Sequence, residues 1–291
     1  MSNIQVNTLF SMEGRVALIS GGGTGIGSYV AQGLVQAGAA RVYITGRRPG
    51  PLNTVAQTAP NNIVSIQGDV STIDGCKSIA ARFVELEKEA GVDEPSLDLL
   101  FNNAGVIVQE GQWDEAKATP EDIRDALLKT SDKDWANVFA VNASAVQWLS
   151  AALLPYLAKA ANNNDSRLSG RGCIVVNTSL SALYFGRLSQ VHLYSASKAA
   201  AESLTSNLAS KFTRLGVRVN SIAVAHVPSE TNDIKHEGSW ISMAKARGIV
   251  PVGRVGNEED AMAAVLYLAS RAGSYVSGTC IKVDGGTLIA S

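Results

Sequence analysis

The stretch Ser20-Gly21-Gly22-Gly23-Thr24-Gly25-Ile26-Gly27 decides the fold. It follows an apolar run, Arg15–Ser20, that has the composition of a buried strand, and it opens a helix-period segment, Ile26–Ala37. Glycines let the chain turn tightly and let a pyrophosphate approach the backbone, while the next helix offers N–H groups and the positive end of its dipole. The loop therefore predicts a dinucleotide-binding βα unit near the start of the chain.

Apolar runs and helix-period segments alternate along the rest of the sequence. Six further runs indicate strands: Arg41–Thr45, Ile63–Gln67, Leu97–Asn102, Gly172–Ser179, Arg218–Ala223 and Cys280–Val283. Four further segments indicate helices: Cys76–Glu89, Trp135–Lys159, Ser195–Leu215 and Glu258–Ser270. Continuous rather than alternating apolarity is typical of parallel strands that are covered on both faces. We therefore expect an α/β fold: a single Rossmann-type domain over residues 1–291, with a doubly wound parallel sheet of about seven strands and helices on both faces.

Three segments interrupt this alternation. Val106–Asp134 and Asn162–Gly170 are polar, and Val227–Pro251 joins the sixth strand to the last helical part of the chain. Ligands of α/β sheets bind beyond the carboxyl ends of the strands. Loops that follow strands are therefore candidate substrate contacts, and we expect the segment at about 227–251 to be a substrate lid.

Composition excludes several classes of partner and site. The 291 residues include 25 basic and 26 acidic side chains, so the net charge of −1 gives no reason to expect nucleic acid or an anionic membrane. The three cysteines form no CxxC pair, and the three histidines show no HxxH or HExxH spacing. We expect no metal site.

One uncharged stretch, Trp135–Ala158, has the length of a membrane span. It contains Asn137, Asn142 and Gln147, which would be costly in lipid, so a helix buried in the protein or at a subunit interface is the better interpretation. Residues Met1–Met12 lack the basic start and apolar core of a signal peptide. We expect a cytoplasmic protein with no membrane contact.

The end of the second strand bears on the choice of cofactor. NAD enzymes place an acidic residue there for the ribose hydroxyls, whereas a nearby arginine suits a 2′-phosphate. The sequence Tyr43-Ile44-Thr45-Gly46-Arg47-Arg48 has glycine where the acid is expected, followed by two arginines. Guanidinium groups pair well with a phosphate dianion, so NADP(H) is favoured over NAD(H), although a solvated basic turn would look the same.

Tyr194 and Lys198 are four residues apart at the start of a helical segment, and so share one helix face. A phenol has a pKa near 10, which is too high for efficient proton transfer at neutral pH. A neighbouring ammonium favours the phenolate, and general acid–base catalysis requires such matching. With seven tyrosines in the chain, the pair is informative only together with the glycine loop.

Together these motifs resemble the short-chain dehydrogenase/reductase family over nearly the whole chain, in particular 3-oxoacyl-carrier-protein reductases, the rhamnolipid-type branch and fungal reductases. Further matching segments are Asp69-Val70, Asn102-Asn103-Ala104-Gly105, Val141-Asn142-Ala143 and Val283-Asp284-Gly285-Gly286. The cofactor-binding residues that follow are Gly21, Gly23, Thr24, Gly25, Ile26, Gly27, Arg47, Arg48, Asp69, Val70, Asn103, Ala104, Gly105, Tyr194, Lys198, Val227 and Ser229.

The resemblance also implies a mechanism. Hydride passes between the nicotinamide and the substrate carbon, and Tyr194 gives its proton to the carbonyl oxygen. Lys198 lowers the pKa of the tyrosine and bonds the nicotinamide ribose, while Asn142 connects the lysine to solvent through water. In this scheme a serine polarises the carbonyl.

Two serines compete for that last role. Counted from the start of the strand at Gly172, the family serine is Ser179, whereas the commonest spacing back from Tyr194 gives Ser181. The loop between them and the tyrosine can absorb two extra residues, so Ser179 is favoured. The other serine would then be a supporting hydroxyl or a substrate contact.

The chain departs from the family pattern after the sixth strand, where Val224-Ala225 replaces the usual Pro-Gly pair. The added bulk at Ala225 would shift the nicotinamide or reshape the pocket. The main expectation is an NADP(H)-dependent ketoreductase that acts on a small carbonyl or alcohol substrate, with an apolar or aromatic ketone plausible. The alternatives are a cofactor-binding scaffold with little turnover and a coupled cyclisation or non-redox activity. The resemblance also implies a homodimer or homotetramer.

Overall fold

A computed structural model describes residues 5–163, 166–184, 191–229, 244 and 248–290. Its centre is a seven-stranded parallel sheet in the order β3-β2-β1-β4-β5-β6-β7. The strands are β1 (Val16–Ser20), β2 (Arg41–Gly46), β3 (Ile63–Gln67), β4 (Leu99–Asn102), β5 (Cys173–Asn177), β6 (Arg218–Val224) and β7 (Cys280–Val283). The predicted doubly wound α/β fold is confirmed.

Helices cover both faces of this sheet. They are α1 (Val6–Leu9), α2 (Gly25–Gln36), α3 (Pro49–Ala56), α4 (Ile73–Glu89), α5 (Pro120–Leu127), α6 (Asp132–Phe139), α7 (Ala145–Asn162), α8 (Ser166–Ser169), α9 (His192–Phe212) and α10 (Glu258–Ala269). Successive strand residues point to opposite faces, so Leu18 packs in the core with α4, α7 and α9. Ala17 and Ile19 pack in the other core, with α2, α3 and α10. Strands β1, β4 and β5 at the centre of the sheet are buried on both faces, in line with their mainly apolar composition.

The polar segment predicted at Val106–Asp134 is not wholly loop. It contains α5, which begins at a capping box in which Thr119 and Asp122 each bond the other's backbone N–H. A second capping box, between Ser131 and Asp134, starts α6. Helix α3 and the short α8, which lies inside the predicted loop Asn162–Gly170, also lay outside the predicted helices.

The uncharged stretch Trp135–Lys159 was predicted as one helix but has a break in its regular winding. Between α6 and α7 the chain forms a π-helical turn, Ala140–Ser144. The helix that runs on from Asp132 to Asn162 is long and apolar enough to cross a membrane, yet half of its most apolar window is buried in the protein. Of the predicted lid at 227–251, only residues 227–229, 244 and 248–251 are among those described.

A buried carboxylate joins α4 to the strand that leads to the predicted arginine pair. Glu87 is 1% exposed and accepts a hydrogen bond from the Tyr43 hydroxyl at 2.6 Å. Arg41 donates to both of its carboxylate oxygens, from Nε at 2.5 Å and from Nη2 at 2.9 Å. Burial, with the carboxylate beside it, raises the pKa of Tyr43. The phenol therefore stays a hydrogen-bond donor across the physiological range.

Removing this carboxylate should destabilise the fold. We expect Glu87→Ala to lower the free energy of unfolding by about 3 kcal/mol, because it leaves a buried hydroxyl and a half-buried guanidinium without their acceptor. Urea denaturation followed by circular dichroism measures the loss. The matched control is Glu85→Ala on the exposed face of the same helix, which should cost less than about 0.5 kcal/mol. Equal losses in the two variants would contradict this role for Glu87.

Candidate active site

The glycine loop between β1 and α2 is packed too tightly for side chains. Gly21 has a φ of +66°, and a Cβ there would lie 2.8 Å from Cα of Ala104. A Cβ at Gly22 would lie 2.6 Å from the Ile44 side chain, and one at Gly27 would lie 2.2 Å from the Gly21 carbonyl oxygen. The loop therefore needs glycine at these positions in order to turn between β1, β2 and the end of β4.

A side-chain amide fixes the loop against the neighbouring strands. Asn103 donates from Nδ2 to the carbonyl oxygens of Ser20 and Gly21, each at 3.1 Å. Its Oδ1 accepts from Nδ2 of Asn177 at 2.8 Å. The Ser20 hydroxyl accepts the N–H groups of Asn103 and Ala104 at 3.0 and 3.1 Å. The carboxyl ends of β1, β4 and β5 are thereby tied together.

A cavity of about 780 Å³ opens at this edge of the sheet. Of the predicted cofactor-binding residues, the following line it: Gly21, Gly23, Thr24, Gly25, Ile26, Arg47, Arg48, Asp69, Val70, Asn103, Ala104, Gly105, Tyr194, Lys198, Val227 and Ser229. Gly27 does not, because it packs behind the loop against Gly21. The cavity has the size of a cofactor site, and its lining includes a helix N-terminus, two arginines and a tyrosine, so these residues fit a dinucleotide.

The two arginines lie at the rim of this cavity. Gly46 ends β2 and is half-buried, while Arg47 and Arg48 are exposed. No acidic side chain stands at the strand end itself. Asp69, on the wall after β3, accepts the N–H of Ser71 at 2.9 Å. The rim near the loop is therefore basic.

Tyr194, Lys198 and Ser179 line the same cavity. Nζ of Lys198 lies 5.8 Å from the centroid of the Tyr194 ring and donates to the carbonyl oxygen of Asn177 at 2.8 Å. The Ser179 side chain is close enough to the Tyr194 hydroxyl to lower its pKa. Ser181 also lines the cavity, and its backbone N–H donates to Oγ of Ser179 at 3.1 Å. Of the two candidate serines, Ser179 is the one whose side chain acts on the pKa of the tyrosine.

Burial acts on the two titratable groups in opposite senses. It raises the pKa of Tyr194, because the phenolate loses solvent, while the hydrogen bond from Ser179 lowers it. Burial lowers the pKa of Lys198 to about 8, because the ammonium is the charged form. Burial, rather than the lysine charge expected from the sequence, therefore has the largest effect on the tyrosine.

Asn142 lies behind the cavity wall, in the π-helical turn. Its Oδ1 accepts the N–H of Val106 at 2.8 Å, and its Nδ2 donates to the Val106 carbonyl at 2.9 Å and to Oγ of Ser197 at 3.0 Å. π-Turns often mark functional sites. This one turns a side chain toward the loop after β4, so that the asparagine joins that loop to α9 one residue before Lys198.

Val224, the last residue of β6, and Ala225, which follows it, both line the cavity. The next residue, His226, also lines it and has a φ of +43°, which is uncommon outside glycine. Burial lowers the pKa of its imidazole, and Asp284 acts in the opposite sense. The sequence contained no signal for this backbone conformation.

Glu110 is a second residue that the sequence analysis did not single out. Its buried carboxylate accepts the N–H groups of Leu193 and Tyr194 at the start of α9. It comes from the segment after β4, 83 residues before Leu193, so no local motif could reveal it. No cluster of three metal-ligating side chains occurs in the described part of the chain.

Known proteins resemble the chain over nearly its full length. A family model described as enoyl-(acyl carrier protein) reductase matches residues 21–287. The short-chain dehydrogenase/reductase PhomF of Diaporthe leptostromiformis is 34% identical, over 96% of this chain and 93% of that protein. The rhamnolipids biosynthesis 3-oxoacyl-[acyl-carrier-protein] reductase of Pseudomonas aeruginosa is 33% identical, over 95% of this chain and 97% of that protein.

A solved structure gives the same result. The Pseudomonas aeruginosa RhlG/NADP active-site complex superposes with a TM-score of 0.79 at 30% identity, covering 96% of this chain and 98% of that one. The chain belongs to the short-chain dehydrogenase/reductase family of oxidoreductases.

Proposed function

We propose that the chain is an NADPH-dependent ketoreductase in which Tyr194 is the acid–base catalyst. The observation that carries this proposal is the meeting of Tyr194, Ser179 and Lys198 in the same cavity as the glycine loop. Enzyme activity follows from the family, while the cofactor preference and the residue roles are our proposal. The Pseudomonas relatives, one described as a 3-oxoacyl reductase and one as an NADP complex, support carbonyl reduction and the choice of NADPH.

The chain offers a binding residue for each part of the cofactor. The glycine loop and the N-terminus of α2 would hold the pyrophosphate, and Arg47 and Arg48 the 2′-phosphate. Asp69 and Val70 would contact the adenine, and Lys198 the nicotinamide ribose. When bound, the nicotinamide supplies the hydride for the carbonyl carbon.

Each of the proposed catalytic side chains has its own part in the proton transfer. Tyr194 transfers its phenolic proton to the carbonyl oxygen of the substrate, and Ser179 donates a hydrogen bond to that oxygen. Lys198 stabilises the phenolate that is left. Reprotonation needs a path to solvent, and a small cavity of about 10 Å³, close to the room one water needs, is lined by Asn142 and Asn177. This supports the relay through Asn142.

The substrate end of the cavity favours an apolar ketone. The apolar and aromatic residues in the cavity lining include Ile107, Leu180, Tyr184, Val191 and Ile249. Aliphatic and aromatic surfaces of this kind bind apolar ligands and leave sugar hydroxyls without partners. An acyl chain or an aromatic ketone therefore fits better than a polyol.

We also propose a cytoplasmic homodimer or homotetramer that assembles through the helices at 135–159 and 195–215. In support, Trp135 is 42% exposed and stacks on Phe139 at 5.8 Å, so that an aromatic pair faces outward on the first of these helices. Large apolar surfaces of this kind often mark contacts between proteins.

Replacing the tyrosine tests the proposed chemistry. Tyr194→Phe should lower kcat for NADPH oxidation at least about a hundredfold across a panel of aliphatic ketones, aromatic ketones and 3-oxoacyl thioesters, because the proton donor is lost. Its affinity for NADPH, measured by fluorescence, should change less than twofold. The control is Tyr275→Phe, at a fully exposed tyrosine, which should keep its activity. If the wild-type protein binds NADPH but reduces nothing in the panel, the scaffold and cyclisation alternatives gain.

Replacing the arginine pair tests the cofactor preference. Removing both guanidiniums in Arg47→Ala/Arg48→Ala should weaken NADPH binding about tenfold, because exposed charge-assisted bonds to the phosphate are lost. NADH binding should stay within twofold. Arg82→Ala, which removes an exposed cation from α4, controls for overall charge. Equal weakening for both cofactors would refute the assignment.

The pH dependence of alcohol oxidation distinguishes the two serines. Oxidation needs the phenolate of Tyr194, so its rate rises as pH passes the tyrosine pKa. The hydrogen bond from Ser179 lowers that pKa, so Ser179→Ala should move the rise in kcat/KM to higher pH. Ser181→Ala should leave the midpoint in place, since its backbone N–H is retained. A shift in Ser181→Ala alone would reverse the assignment.

A further inference from the structure

Glu110 is a buried carboxylate with an unusual pair of partners. The residue is 7% exposed, and Oε2 accepts the N–H of Leu193 at 2.9 Å while Oε1 accepts the N–H of Tyr194 at 3.2 Å. Both partners are backbone groups in the first turn of α9. One carboxylate thus binds the main chain of the catalytic tyrosine and of the residue before it.

The first turn of α9 lacks a capping side chain from its own N-cap residue. The first N–H groups of a helix have no partner within the helix, and they are usually bonded by a capping side chain. Val191 occupies the cap position and supplies no side-chain hydrogen bond. The carboxylate of Glu110, which belongs to a distant segment, accepts these N–H groups instead of a cap residue. Its negative charge is also favourable at the positive end of the helix dipole.

The segment that carries Glu110 is itself held on both sides. A Cβ at Gly111 would lie 2.1 Å from the carbonyl oxygen of Ala126, so the backbone at 111 rests directly on α5. On the other side, the Trp113 ring stacks on His192 with 5.5 Å between centroids and 2° between planes. Helix α5 and the stack therefore brace Glu110 against the first turn of α9.

We propose that Glu110 is a positioning residue for Tyr194. It sets the first turn of α9 and so fixes where the phenol hydroxyl lies relative to Ser179 and the substrate carbonyl. It touches neither substrate nor cofactor, and it acts through the backbone N–H of the tyrosine. Small misplacements of a reacting group can lower the reaction rate about a hundredfold, so the loss of such an anchor should lower kcat. The inference rests on the proposed role of Tyr194.

Two variants separate this role from simple stabilisation. Glu110→Gln keeps the size of the side chain but puts an NH₂ donor against one of the two N–H groups, and Glu110→Ala removes both acceptors. We expect kcat for ketone reduction to fall about tenfold in the first and about a hundredfold in the second. KM for NADPH should change less than twofold. Glu121→Gln, at an exposed carboxylate on α5, should retain wild-type values.

Hydrogen exchange gives a readout that needs no turnover. The amides of Leu193 and Tyr194 should exchange at least about tenfold faster in Glu110→Gln than in the wild type, while those in the middle of α9 are unchanged. Glu87→Ala serves as the stability control, since it should lower stability without lowering kcat of the folded enzyme. If both Glu110 variants keep kcat within twofold while the amides exchange faster, the carboxylate is structural only and the proposal is wrong. If the wild type itself shows no turnover, the proposed function fails, and the exchange result still tests the contact.

Discussion

The rest of the site depends on the hydrogen bonds that the side-chain amide of Asn103 makes with the neighbouring strand ends. The strand order reverses between β1 and β4, so the chains leaving these two strands diverge and open a crevice at their carboxyl ends. Such a crevice is useful only if its two walls keep a fixed separation. Asn103 holds them by donating to the carbonyls of Ser20 and Gly21 on one side and accepting from Asn177 on the other.

These hydrogen bonds continue to Lys198, in the part of the cavity where we propose the chemistry to occur. Asn177 accepts a hydrogen bond from Nζ of Lys198 through its carbonyl oxygen, so an unbroken series of hydrogen bonds links Gly21 to Lys198 by way of Asn103 and Asn177. Lys198 also lies close to Gly105, where a Cβ would be 3.5 Å from Nζ. The glycine loop and Lys198, to which we assign phosphate binding and support of the chemistry, are thus joined by side-chain hydrogen bonds.

The parts of the fold and of the candidate site that could be predicted from the sequence are those set by residues close together in the chain. The strands were predicted because most of them are short, mainly apolar runs, and the central ones are buried along their whole length. The glycine loop was predicted because its glycines lie within eight consecutive residues, although the contacts that require them come from Ile44 and Ala104. Helix α5 was missed although the capping box of Thr119 and Asp122 is visible in the sequence. Glu110 lay beyond reach, because its partners are backbone amides 83 and 84 positions away. The two serines likewise differ in a way that spacing does not reveal, because only the Ser179 side chain acts on the pKa of Tyr194.

The electrostatics of the buried pair bear on the direction of the reaction. Burial raises the pKa of Tyr194 and lowers that of Lys198 to about 8, so each group is drawn toward its neutral form. In the proposed mechanism the neutral phenol can donate its proton, which is what reduction of a carbonyl requires. Oxidation would require the phenolate, which the Ser179 side chain favours by lowering the pKa of the tyrosine. We therefore expect reduction to be the faster direction at neutral pH and oxidation to gain rate as the pH rises.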